Sequence, residues 1–233
     1  MRTPGRCFLL TVTLLLAFSL LRGLGMAGPP AVSITVLVVL LALGAAWSGA
    51  TLADLGLKRA AAAAGVRYGL AAFAAVGLVL LAAAVFPATR PTLQDQRGQI
   101  AGGSLVYELL VTIVLLTAVP EEFAFRGVLL GSAVALWGPR RASMVTASLF
   151  GLWHIQPTLQ TMTENRAVSA EATHAAGQVG LVLGAVVVTS LAGLGFAWLR
   201  LRSRSLVAPV LAHVATNGLA LLAAWAVAHQ RLP

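Results

Sequence analysis

The chain has 233 residues, 59% of them hydrophobic and only 10% charged, with a mean hydropathy of +0.90. So much apolar surface exceeds what one water-soluble core can bury, which excludes a soluble globular domain. The 16 Lys and Arg outnumber the 7 Asp and Glu, for a net charge of +9, but the bases stand in short clusters between long apolar runs. That is the pattern of membrane loops, and it argues against a nucleic-acid partner.

A spanning helix takes about 20 mostly apolar residues. In chain order such runs lie at residues 8–28, 31–53, 66–87, 104–126, 142–156, 178–199 and 205–228. They predict an all-α fold, a polytopic membrane helix bundle of about seven transmembrane helices. The first run, preceded by Arg2 and Arg6, also fits a signal peptide; no Ala-x-Ala site follows it, so a retained helix is the expectation. Cys7, the lone cysteine, excludes an intramolecular disulfide and any Cys-x-x-Cys metal site.

A cytoplasmic amino terminus places Arg2, Arg6, Lys58, Arg59, Arg67, Arg140, Arg141, Arg200, Arg202 and Arg204 inside, and Arg90, Arg97, Arg166 and Arg231 outside. This bias is the one cytoplasmic loops carry, so the chain reads as a multi-pass cell-membrane protein with its amino terminus in the cytoplasm. Gly28-Pro29-Pro30 reads as an outer turn, Pro87 to Gly103 as an outer polar loop, and Gly138-Pro139-Arg140-Arg141 as an inner turn. Gln156 to Gln178 is the longest polar connection. No repeat of fixed period appears. Residues 1–103 read as three amino-terminal membrane helices plus an outer loop, and residues 104–233 as the core that carries the chemistry.

The fourth run contains Pro120-Glu121-Glu122-Phe123-Ala124-Phe125-Arg126-Gly127. Each charge at bilayer depth costs about 2.5–3.5 kcal/mol on insertion scales. Glu122 and Arg126, four apart, share a helical face and can pair; Glu121 lies about 100° around and lacks that partner. A structural ion pair beside a snorkelling glutamate is the simpler reading of these residues. Pro120 removes a helical hydrogen bond and predicts a break in the backbone.

The fifth run ends Phe150-Gly151-Leu152-Trp153-His154, and the seventh contains His213-Val214-Ala215-Thr216-Asn217. Taken singly, His154 reads as an interfacial residue, and His213 with Asn217, on one helical face, as glue between helices. Counting 1.5 Å per residue puts Glu121 about 25 Å below Ser104, within about 5 Å of the inner boundary. His213 and His154 fall about 12 Å and about 20 Å in from that same side. One polar cavity open to the cytoplasmic side would collect all of them. A carboxylate, two imidazoles and an amide suffice to hydrolyse an amide bond, with Glu121 and His154 activating water and His213 and Asn217 donating to the oxyanion. No Gly-x-Ser-x-Gly elbow occurs, Cys7 is remote, and no Asp falls in these helices, which disfavours serine, cysteine and aspartyl chemistry.

In order, E-E-x-x-x-R, F-x-x-x-H and H-x-x-x-N resemble the three motifs of the CPBP intramembrane proteases, the CAAX- and bacteriocin-processing family. The resemblance spans roughly residues 104–217, and Asp54-Leu55-Gly56-Leu57 is similar to the D-L-G-L element that often precedes that core. It implies an intramembrane endopeptidase cutting a membrane-associated or lipidated peptide or protein at the bilayer. Glu121 and His154 would be its water-activating pair, His213 and Asn217 its oxyanion site, and Glu122, Arg126 and Phe150 the support of that site. Trp153 stands where relatives often carry a smaller residue and is expected to narrow the cavity. No cofactor is expected. In the zinc alternative, Glu121, His154 and His213 would be the ligands, although no His-Glu-x-x-His helix is present. From another class, the alternative is a non-catalytic membrane protein for bacteriocin immunity or partner binding.

Overall fold

A computed structural model describes residues 3–86, 89, 93, 96–164 and 173–229. Arg2, Arg90, Arg166 and Arg231 of the charge count, and parts of both outer polar segments, lie outside these residues. Among the described residues the chain is helical without strands: α1 (Pro4–Gly23), α2 (Pro30–Trp47), α3 (Ala62–Val85), α4 (102–137), α5 (139–153), α6 (Ile155–Glu164), α7 (Ala175–Ser203) and α8 (Val207–Ala228). Six helical runs are long and apolar enough to cross a membrane.

The fourth of these, Gly102–Met162, contains both the fourth and the fifth predicted spans. It is folded back at Gly138, whose φ of 74° and ψ of 170° suit a residue without Cβ. Pairs at similar sequence distances on either side of Gly138 meet: Phe125 lies 5.1 Å from Phe150, ring to ring, and Glu121 is bonded by Trp153. The inner turn expected at Gly138-Pro139-Arg140-Arg141 is therefore the bend of a helical hairpin. Beyond it, the polar connection predicted from Gln156 is helical at its start, because α6 follows α5 after the single residue His154.

The outer surface is apolar, with Leu9, Leu16, Val79, Leu183 and Val188 all exposed. Such a surface is an aggregation hazard in water and unremarkable against lipid tails. Since lipid supplies no hydrophobic drive between helices, close packing of small residues has to hold them together. At Gly151 on α5, an added Cβ would stand 2.6 Å from the Val186 carbonyl oxygen of α7 and would also collide with Ser190. On α3, Gly65 and Gly69 admit Ser205 and Leu211 from the α8 side in the same way. α1 packs on α2 and on the hairpin, burying Cys7, Leu15 and Phe18 in the core.

The two ends of the bundle are distinct. At the amino-terminal end the Thr3 amide donates to the Ser48 carbonyl at 3.0 Å, Phe8 meets Trp137 edge-on at 5.0 Å, and Arg200 donates to the Asp54 carbonyl at 2.8 Å. At the opposite end Phe18 stacks on Trp153 at 5.8 Å, and the Trp225 indole donates to the Ile100 carbonyl at 2.9 Å.

Gly151 thus sets the α5–α7 distance. Gly151→Leu forces a branched side chain against the α7 backbone, and overpacking of this kind costs about 1–3 kcal/mol. The expected outcome is a clear fall in the melting temperature of the purified protein in detergent; an unchanged melt would contradict the packing described.

Candidate active site

The two glutamates lie on a short α-wound segment, Val119–Glu122, between π-wound Glu108–Ala118 and π-wound Phe123–Leu129. Instead of breaking at Pro120, as the sequence predicts, the helix changes its winding there. The missing N–H falls beside a wider turn, in which Thr117 Oγ1 donates to the carbonyl of Thr112, five residues back, at 2.9 Å. Short π segments inside α-helices concentrate at functional sites.

Glu122 is fully buried. Its Oε1 accepts a hydrogen bond from Arg126 Nη1 at 2.7 Å and lies 2.9 Å from His213 Nδ1. Arg126 is caged by aromatic faces, its guanidinium carbon 4.0 Å from the Phe150 ring centre and 5.0 Å from that of Phe196. Phe196 also stacks on the His213 ring at 5.3 Å. A carboxylate paired with arginine only accepts, so Nδ1 of His213 is the donor to Glu122. His213 Nε2 then faces Glu121 Oε2 at 4.0 Å.

Glu121 looks the other way, with 17% of its side chain exposed. Its Oε1 accepts from the Trp153 indole at 3.0 Å, and its Oε2 has no hydrogen-bond partner among the described residues. His154 Nδ1 lies 2.8 Å from the Phe150 carbonyl, which can only accept. The proton of the neutral ring therefore sits on Nδ1, and Nε2 keeps its lone pair.

Glu121, His154 and Asn217, from α4, the α5 end and α8, line one cavity of about 660 Å³, together with Trp153, Thr216 and apolar residues such as Leu15, Phe18 and Leu37. The structure thus brings three of the predicted residues to the lining of one cavity. His213 is buried behind Glu121 and does not line the cavity, while Glu122, Arg126 and Phe150 form the layer beneath. Among the described residues, no three His, Cys, Asp or Glu side chains form a group that could hold a metal ion.

The opening lies at the end of the bundle opposite the amino terminus. The cavity reaches Arg22, Ile34, Arg97 and Ile100, residues at the end of the bundle away from the amino terminus and from Arg140-Arg141. A cytoplasmic amino terminus and a cytoplasmic opening do not hold together in this geometry. Trp153 is the functional contact that sequence reasoning missed. It does line the cavity, but as the donor that orients Glu121. The signal was available, since an indole N–H in an apolar helix has to find an acceptor.

Residues 103–219 match the family model described as Type II CAAX prenyl endopeptidase Rce1-like. No curated protein and no solved structure matches the chain.

Arg126→Met would leave Glu122 in the apolar interior without its cation. Removing one partner of a buried pair costs about 3–5 kcal/mol. The expected outcome is a large loss of folded protein, measured by unfolding in mixed detergent, and partial recovery with Arg126→Lys. A stability within error of the parent would remove the pair from its structural role.

Proposed function

Because the chain belongs to the Rce1-like CAAX endopeptidase family, we propose that it hydrolyses a peptide bond of a membrane-associated or lipidated substrate inside this cavity. The observation that carries the proposal is that Glu121, His154 and Asn217 line one cavity although they come from three separate parts of the chain.

The attacking water sits in the cavity between two acceptors, the carboxylate of Glu121 and Nε2 of His154. Its two O–H bonds point at them, leaving an oxygen lone pair for the scissile carbonyl carbon. As the C–O bond forms, Glu121 takes a proton from the water, with His154 holding the second hydrogen. The carbonyl oxygen becomes an oxyanion, and the Asn217 amide donates to it from α8. His213 acts through Glu121, whose Oε2 it faces, and it is in turn fixed by Glu122. Collapse of the tetrahedral species breaks the C–N bond, and the proton returns from Glu121 to the departing amine. The proton count closes within the protein's own side chains. No metal enters this mechanism.

Trp153 fixes the Glu121 carboxylate by donating to its Oε1, so it is a positioning residue. Phe at this position keeps an aromatic ring beside Phe18 and removes the N–H that Glu121 accepts.

Glu121→Gln and His154→Ala are each expected to lower the cleavage rate of a membrane-tethered peptide by about 10²–10⁴-fold. Asn217→Ala should cost about 10²–10³-fold. All three should keep the parent melting temperature, and the parent should be unaffected by a zinc chelator. Full activity of Glu121→Gln would end this mechanism.

Trp153→Phe should lower kcat with little change in KM and should retain the fold. A change confined to KM would instead make Trp153 part of substrate binding.

A further inference from the structure

The cavity mouth and the charges lie at opposite ends of the bundle, and these two observations are independent. Arg6, Lys58, Arg59, Arg67, Arg140, Arg141, Arg200, Arg202 and Arg204 all belong to the end where Thr3 meets Ser48 and Arg200 meets Asp54. At the mouth end, the described residues contribute Arg22 and Arg97 alone, beside Glu108. Lysine and arginine close to membrane spans accumulate on the cytoplasmic side, and this bias sets orientation.

We infer that the cavity opens to the non-cytoplasmic face of the membrane, so that its substrate is the exported part of a membrane-anchored peptide. The fold makes the alternative costly. To turn the mouth toward the cytoplasm, the Arg140-Arg141 bend, the Lys58-Arg59 segment and the Arg202–Arg204 turn would all have to be translocated.

The lining supports entry of a chain from that side. Leu15, Phe18, Ile34 and Leu37 of the first two helices form an apolar wall rising from Glu121, and Arg22 and Arg97 stand at its rim. An extended peptide whose anchor lies in the outer leaflet runs down that wall to reach Glu121 and His154. The substrate half of this inference rests on the hydrolase reading; the direction of the opening does not.

The carboxyl-terminal helix gives a direct readout, because Trp225 near its end is bonded to Ile100 at the mouth. The full chain is fused after its last residue either to alkaline phosphatase, active only outside the cytoplasm, or to a green fluorescent protein, fluorescent only inside it. An active phosphatase and a dark fluorescent fusion are expected. The reverse pattern overturns the inference.

A second arm uses one anchored reporter peptide displayed on either side of the membrane of the same cells. The outward form should be cut and the inward form left intact, with cutting lost in Glu121→Gln. Cleavage of the inward form alone overturns the inference. An active phosphatase fusion with neither peptide cut would remove the hydrolase and its substrate while the outward opening stands.

Discussion

The structure depends on one charged contact placed where charge is least welcome, the 2.7 Å bond between Glu122 and Arg126 inside an apolar bundle. Stripping two ions of water is expensive, and their mutual attraction compensates only when geometry and further hydrogen bonds are good. Here every neighbouring element helps. α5 brings the Phe150 face over the guanidinium, α7 brings Phe196, and α8 brings the His213 ring to the same carboxylate oxygen. The pair therefore fixes the relative positions of four helices, and the reactive groups inherit that arrangement.

Two adjacent carboxylates end up with different tasks because consecutive helical residues point about 100° apart. Glu122 faces the protein interior and is fully enclosed, whereas Glu121 lines the cavity and is partly exposed there. The α-wound segment between two π-wound ones sets this division, since a change of winding rotates the faces of everything that follows. The second π segment places Arg126 back over Glu122, and a third, Ala215–Leu219, carries Asn217 in α8. Hydrogen bonds of the two histidines to fixed acceptors then determine which ring nitrogen is available.

Much of this was legible in the sequence. Helix positions follow from run length and apolarity, and the Gly138-Pro139 pair marks the hairpin bend because few other sequences turn so sharply between two membrane segments. The three polar motifs point to Glu121, His154 and Asn217, which line one cavity, because polar groups are rare enough in lipid to be conspicuous. The direction of the opening was not legible. Counting residues inward from Ser104 and stopping the fourth span at its charges put Glu121 near the inner boundary. In fact α4 runs on to residue 137, so a long stretch of helix separates Glu121 from the Gly138 bend. The π winding has no composition of its own and could not be read. Nor could the burial of His213 behind Glu121, which depends on how α8 rotates against α7 and α3.

The order of the motifs along the chain has a consequence for biosynthesis. Glu122 and Arg126 sit on a single helix, so they leave the translocation machinery already paired, a nearly neutral couple that lipid tolerates. His213 arrives 91 residues after Glu122 on the last helix, with Asn217 just behind it. A nascent chain therefore carries Glu121 long before it possesses the Asn217 amide that lines the same cavity. Insertion of the final segment therefore completes the lining of the cavity last, after every other helix has entered the membrane.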